Sequence, residues 1–264
     1  MPSQVLLFVS NDFLLLVAVA LVFLLAGIVK GVVGLGLPTL SLGLLAGLML
    51  PGQAAALLVL PSLLTNIWQM WDGPALAALL RRLWPLQLGV VLGTLLAPVS
   101  LVTLDVHVAS AGLGLALVVY ALAGLFSFSP PAPGRAEGAV SLATGLVTGA
   151  VTSATGVFVF PAVPYLQSLK LKKEEMVQAL GLSFTVSTLA LFARLVMEGS
   201  FSAGQMKLGG WGIWIWLAPV PAAFLGMALG QKLRGRLDEK NFRRVFFVGL
   251  LLIGIYMLAS GALR

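Results

Sequence analysis

The sequence predicts an all-α polytopic membrane protein made of two inverted-topology repeats. Each repeat is expected to hold a Gly/Pro-broken hairpin and about three transmembrane helices. Three observations carry this expectation. First, 59% of the 264 residues are hydrophobic and only 9% are charged, with a mean hydropathy of +1.05. A soluble domain carries about 25% charged residues, so this chain cannot clothe itself in a water-compatible surface. Second, apolar runs of roughly 18 residues or more recur along the whole length, the signature of spanning helices rather than of barrel strands. Third, the chain resembles itself at a distance.

The self-resemblance has three landmarks in the same order in both halves. "GIVKGVVGLG" from Gly27 matches "GLVTGAVTSATG" from Gly145, with Gly27 on Gly145 and Gly31 on Gly149. "GVVLG" ending at Gly93 matches "AAFLG" ending at Gly226. "LDVHVASAGLGLALVVYALAGL" from Leu104 matches "LDEKNFRRVFFVGLLLIGIYML" from Leu237. The division that follows is a first membrane repeat over residues 1–128, a Pro/Gly linker over 129–137 and a second repeat over 138–264, together one membrane domain.

The elements follow in order. Apolar segments fall near 12–29, 34–50, 53–71, 83–102 and 107–127, then near 139–155, 156–168, 176–197, 211–230 and 242–261. Segment 156–168 is short for a crossing, which takes about 20 helical residues. The opening segments of each repeat are therefore open to two readings, full spans or re-entrant hairpins. The first ten residues hold no Lys or Arg, so they lack a signal peptide's basic start. The first apolar segment is expected to belong to the mature protein.

Charge orients the segments. With the N-terminus outside, the inner side receives Lys30, Arg81, Arg82, Arg135, Lys170, Lys172, Lys173, Lys232, Arg234, Arg236, Lys240, Arg243 and Arg244. Only Arg194, Lys207 and Arg264 fall at or near the outer side. Basic residues collect in cytoplasmic loops, which accounts for the net charge of +7 without nucleic acid. A multi-pass protein of the cell (inner) membrane is expected. Equivalent loops also exchange their charge between the halves: bare "TLDVH" answers to "KLRGRLDEKNFRR", and "RRLWP" to "EGSFSAGQMK". Inversion requires that exchange.

The candidate site starts from the glycines. Between Phe13 and Gly52 the only charged residue is Lys30, followed by Gly31, Gly34, Gly36 and Pro38. A broken helix bares backbone N–H groups at a helix start, where the dipole favours an anion. In the first half the donors would be Gly34, Gly36, Leu37 and Thr39, with Pro38 at a first helical position that needs no N–H. In the second half Thr152, Ser153, Thr155 and Gly156 take this part. Pseudo-symmetry would bring both breaks together near the midplane. Close packing of small residues is the competing explanation.

The third segments carry polar stripes. Ser62, Thr65, Asn66 and Gln69 fall three and four apart, and Ser183, Ser187 and Arg194 keep one helix face at steps of four and seven, with Thr188 adjacent. An unpaired amide in hydrocarbon is costly, so Asn66 is expected to face the bundle interior. Substrate contact and helix–helix hydrogen bonding are both open for this stripe. Thr65, Asn66, Ser183 and Ser187 join the candidate binding set. Lys30 admits two readings: snorkelling at the inner end of the first helix, or a cation close to a central anion. Arg194 and Glu198, four apart near the outer face, read as a surface pair. His107 starts an outer helix and has no evident role.

Other chemistry is excluded or disfavoured. There is no cysteine, hence no thiolate catalysis and no Cys-based metal site. With a single histidine and every acid in a predicted loop or at a helix end, neither an enzyme, a metal site nor a cofactor is expected. A proton-coupled transporter usually keeps an ionisable residue in its core, and the pattern of acids shows none. Export of an anion down the membrane potential needs no coupling ion, since about 2.3 kcal/mol per charge is available at 100 mV. The expected partners are the bilayer and a small anion, and a homodimer stays open.

Taken together, "GIVKGVVGLGLPTLSL", the polar third helix, the Pro/Gly linker and the second copy of the plan resemble the TauE/SafE family, the sulfite exporter or TSUP permease family. The resemblance covers nearly the whole chain. It implies transport of small sulfur-containing anions such as sulfite, sulfoacetate, isethionate or other organosulfonates. One departure is visible: "TSATGVFVFP" in the second copy has hydroxyls where the family commonly has glycines. Those added donors would suit a larger or more polar sulfonate. The reading is a secondary transporter working by alternating access with its site between the repeats. An anion channel, or a carrier of a different small organic anion, is the alternative.

Overall fold

The computed structural model describes residues 2–201 and 213–262, with side chains from residue 13 onward except those of Glu239 and Ala262. The expected outer loop around Ser202 and Lys207, Arg264 and the side chain of Asp12 lie outside the described residues. The chain is all-helical, 79% helix with no strand among the described residues. The helices are α1 (Pro2–Val33), α2 (Leu37–Leu45), α3 (Pro51–Trp71), α4 (Leu76–Leu96), α5 (Val106–Leu125), α6 (Glu137–Thr155), α7 (Ala162–Ser168), α8 (Lys173–Met197), α9 (Trp214–Leu217), α10 (Pro219–Arg234) and α11 (Glu239–Ala262). Eight stretches, all but α2 and α7 with α9 and α10 as one, are long and apolar enough to cross a membrane.

The segment order matches the sequence reading, with one shift. The fourth helix was expected over 83–102 but runs from Leu76 to Leu96. Arg81 and Arg82 therefore lie inside its first two turns and not in the preceding loop. Arg82 makes a two-bond fork to Glu137 at the start of α6, with Nε to Oε1 at 2.6 Å and Nη2 to Oε2 at 2.9 Å. A loop of Val99 to Leu104 takes the place of the expected last turns of α4.

Packing joins the two halves of the chain at every main contact. α1 packs on α10, α4 on α6, α3 on α8 and α5 on α11. Small residues make the first two pairs close. A Cβ on Gly27 or Gly31 would lie 2.4 or 2.3 Å from the carbonyl oxygens of Ala223 and Met227 in α10. A Cβ on Gly145 or Gly149 would lie 2.2 or 2.3 Å from those of Leu86 and Val90 in α4. Neighbouring backbones can approach this closely only where no side chain intervenes.

These contacts correct the register of one sequence match. Gly27 meets Ala223 as Gly145 meets Leu86, and Gly31 meets Gly230 as Gly149 meets Gly93. Gly89 and Gly93 thus answer to Gly226 and Gly230, "GVVLG" to "GMALG". The pairing of Gly93 with Gly226 was one helical turn out, because a glycine every four residues allows both registers.

One end of the bundle is basic. The last residues of α1, α5 and α10, the whole of α7 and the first turns of α8 and α11 surround a cavity lined by Lys173, Arg234 and Arg243. The opposite end holds the α2–α3 connection, the Val99–Leu104 loop and Ser200, grouped around Trp216.

Gly145→Val should lower the midpoint of thermal unfolding clearly, since forcing atoms into a packed contact costs about 1–3 kcal/mol. Gly249→Val, where a Cβ meets nothing within 4 Å, should leave it nearly unchanged. Fluorescence-detected size-exclusion after heating reads both.

Candidate functional site

The polar stripe of α3 faces inward, as its spacing predicts. Ser62, Thr65 and Asn66 are fully buried and Gln69 is nearly so. Helix α8 supplies the opposing stripe, with Ser183, Ser187 and Thr188 buried. Against the α3 stripe lies Lys30, only 3% exposed. It does not snorkel. Its Nζ donates to the Asn66 Oδ1 and to the Thr65 Oγ1 at 3.1 Å.

The hydrogen bonds around Lys30 run in one sense. Thr65 turns its own proton to the Pro61 carbonyl at 2.7 Å, leaving its lone pairs for Lys30. Asn66 presents its carbonyl to Lys30 and its Nδ2 to the Thr188 Oγ1 at 3.4 Å. Thr188 in turn donates to the Phe184 carbonyl at 2.6 Å. An ammonium has three N–H groups, so one remains without a protein acceptor among the described residues. The partners found are neutral. The two ion pairs among the described residues are Arg82–Glu137 and Arg194–Glu198, and neither includes Lys30. The core therefore does hold an ionisable residue, a cation, where the pattern of acids predicted none.

The chain breaks beside this lysine. The α1–α2 junction turns through Gly34 (φ 81) and Gly36 (φ 104), left-handed values that favour glycine. Pro38 sits in the first turn of α2, and Thr39 closes the turn by donating to the Gly36 carbonyl at 3.1 Å. Leu37 is fully buried. A Cβ on Gly36 would stand 2.9 Å from the Phe246 ring, so that glycine is held by packing as well as by its dihedral.

The second break is elsewhere. At Gly156 (φ 74), a Cβ would meet Leu42, Leu101 and Ala55, whereas the Gly34 carbonyl accepts from Gln69 at 3.0 Å. Ala55 and Gln69 are separated by about 21 Å of helix at 1.5 Å per residue. The two breaks do not meet at one level. α1 runs almost the full depth before it turns, and α6 does the same in the other direction, so each break lies near an opposite end.

The remaining candidates divide accordingly. Thr152 and Thr155 spend their hydroxyl protons on carbonyls of their own helix, Thr148 at 2.7 Å and Val151 at 2.7 Å. Ser153 reaches across to the Val99 carbonyl at 2.9 Å. Ser183 accepts from Gln87 Nε2 of α4 at 2.9 Å. Among the candidates, Lys30, Thr65 and Asn66 are joined through their side chains, and the Gly34 carbonyl is linked to α3 through Gln69.

Polar contacts join the helices toward both ends of the bundle. At the basic end Gln69 Nε2 donates to the Gly34 carbonyl at 3.0 Å and to the Val177 carbonyl at 3.1 Å. Gln178 accepts from the Ala75 N–H at 2.8 Å and donates to the carbonyls of Met70 at 3.0 Å and Gly73 at 2.7 Å. At the other end Arg194 is no surface residue. Its side chain and that of Glu198 are 15% and 13% exposed, and they pair at 2.7 Å. Arg194 also donates to the carbonyls of Leu95 at 2.8 Å and Ala97 at 3.1 Å, and Ser100 donates to Glu198. The sequence reading missed Gln87, Gln178 and Ser100. Two glutamines within apolar helices were the available signal for the first two.

The sulfite exporter TauE/SafE family model matches residues 19–257, about nine-tenths of the chain. The chain belongs to this family. Its members are membrane transporters of sulfite or related anions, so a multi-pass transporter of a small anion is the coarse function. No curated protein and no solved structure gives a significant match.

Arg194→Met should destabilise the fold by about 3 kcal/mol, because it strands Glu198 away from water. Arg194→Met with Glu198→Met should recover much of that loss. Comparing the unfolding midpoints of the two variants decides whether the pair is desolvated.

Proposed function

We propose that the protein carries small sulfur oxyanions, sulfite or organosulfonates such as sulfoacetate and isethionate, by alternating access, with Lys30 as the charge that receives them. One observation supports this above the others: a buried lysine with neutral partners and no buried acid beside it. An isolated charge in low dielectric is costly unless paired. A small anion supplies the missing counter-charge, and the free N–H of Lys30 supplies a donor for one of its oxygens. Asn66, Thr65 and Thr188 then hold Lys30 in place. Neutral hydroxyls nearby, Ser62, Ser183 and Ser187, add donors at no electrostatic cost to the anion.

Alternating access follows from the ties at the two ends. Opening the basic end requires breaking the Gln69 and Gln178 bridges, all of them neutral hydrogen bonds. Opening the other end requires breaking the Arg194–Glu198 pair and its links to the Val99–Leu104 loop. With both sets closed, the Lys30 centre is sealed, an arrangement that suits a carrier better than a channel. In an inverted-repeat transporter the two openings are related by exchange of the halves, and the cross-half packing α1·α10 with α4·α6 accords with that. The basic end is placed in the cytoplasm and the N-terminus outside by the positive-inside rule.

Lys30→Gln should weaken sulfite binding to the purified protein at least tenfold, about 1.4 kcal/mol, and stop sulfite flux into liposomes while the protein still elutes as a folded species. Wild-type affinity in this variant would remove Lys30 from the site. Cysteines placed at Arg82, Lys172 and Arg236 should react with an impermeant reagent from one face, and a cysteine at Ser202 from the other. Reaction of positions 82 and 172 from opposite faces would end the inverted-repeat reading.

A further inference from the structure

The Lys30 centre accounts for one buried cation but leaves the cavity at the basic end without a role. That cavity, about 160 Å³, lies among the ends of α1, α5, α7, α8, α10 and α11. Its lining includes Lys173, Arg234, Arg243, Gln167, Tyr120 and Phe247, and no acidic residue among the described side chains. Three like charges around one hollow repel each other unless something neutralises them. Arg243 sits 5.7 Å from the centre of the Phe247 ring, and its Nη2 makes only a long 3.5 Å contact to the Gly124 carbonyl. Its other guanidinium donors have no protein acceptor among the described residues.

A second, independent observation concerns Tyr120. Its side chain is 2% exposed and its hydroxyl has no hydrogen-bond partner. The ring is fixed edge-on against Phe247 at 5.3 Å. A buried hydroxyl without a partner costs free energy, and phenylalanine would fill the same space without that cost. The hydroxyl is thus a buried donor that the fold itself does not employ. Tyr120 lines the same hollow as the three cations.

We infer that this cavity is a second binding site, an entry vestibule in which Arg243, Arg234, Lys173 and the Tyr120 hydroxyl hold a small oxyanion before it reaches Lys30. The position fits that role. Val33 and Leu35 on either side of Gly34, together with Val177, line the cavity. Gln69 bridges the carbonyls of Gly34 and Val177, and Thr65 and Asn66 lie one turn behind it on α3. The Gln69 bridge is then the partition between vestibule and centre. A guanidinium offers paired donors matched to two oxygens of a tetrahedral or pyramidal anion, and the phenol adds a neutral donor. The vestibule assignment rests on the transport reading for its purpose but not for its chemistry.

The test is sulfite titration of the purified protein in nanodiscs by calorimetry, with chloride at matched ionic strength as the control anion. Wild type should bind sulfite at two sites. Arg243→Gln should weaken one of them about tenfold, and Tyr120→Phe should weaken the same one about threefold while leaving or raising thermal stability. Lys30→Gln should remove the other site and spare this one. If Lys30→Gln changes nothing but Arg243→Gln still removes a site, the vestibule stands and the Lys30 reading falls. If Arg243→Gln and Tyr120→Phe both bind sulfite as wild type does, the vestibule is overturned. Equal competition by chloride would also overturn it, since a general counter-ion cloud would then explain the cations.

Discussion

A lysine placed where water cannot reach it is the constraint around which the centre of this protein is organised. Lys30 needs acceptors that do not neutralise it; Thr65 and Asn66 provide them, and Thr188 accepts from Asn66 in the same sense. Had an aspartate stood at position 66, the pair would have been self-sufficient and an incoming anion would have met no net charge. The choice of an amide leaves a positive potential in the core. In hydrocarbon, where the attraction between charges is little screened, that potential is the simplest way for a protein to recognise a small anion.

Placing the lysine there depends on backbone proximity elsewhere. α1 must lie flat on α10 for Lys30 to reach α3, and Gly27 and Gly31 permit this because any side chain would strike the carbonyls of Ala223 and Met227. The same solution recurs where Gly145 and Gly149 meet α4. These four glycines are packing residues. Those at the turns, Gly34 and Gly36, serve the break that ends α1 just beyond Lys30.

The fold was largely legible because a membrane imposes length and composition on each helix. Segment order, the inward-facing stripe from Ser62 to Gln69 and the gathering of basic residues at one end were all readable from spacing. What was not legible depended on depth. Sequence alone could not say that α1 continues to Val33 and carries Lys30 inward, since a lysine three residues from a helix end also suits snorkelling. It could not separate the levels of Gly34 and Gly156, because a match between two stretches of sequence says nothing about how far apart they lie. Arg194 and Glu198 read as a surface pair because i,i+4 spacing is silent about which loop will close over them. Most of that loop, residues 99–102, falls within the fourth apolar segment that the sequence reading marks near 83–102.

The central claim is that the anion sits against Lys30. A structure of the protein with selenite, a heavier analogue of sulfite that can be located by its anomalous scattering, tests it most directly. The account predicts a selenium position with an oxygen within hydrogen-bond distance of Lys30 Nζ and close to the α3 and α8 hydroxyls. A selenite bound only at the opposite end, near Gly156 and Thr155, with Lys30 still bonded to Asn66 and Thr65 alone, would contradict it.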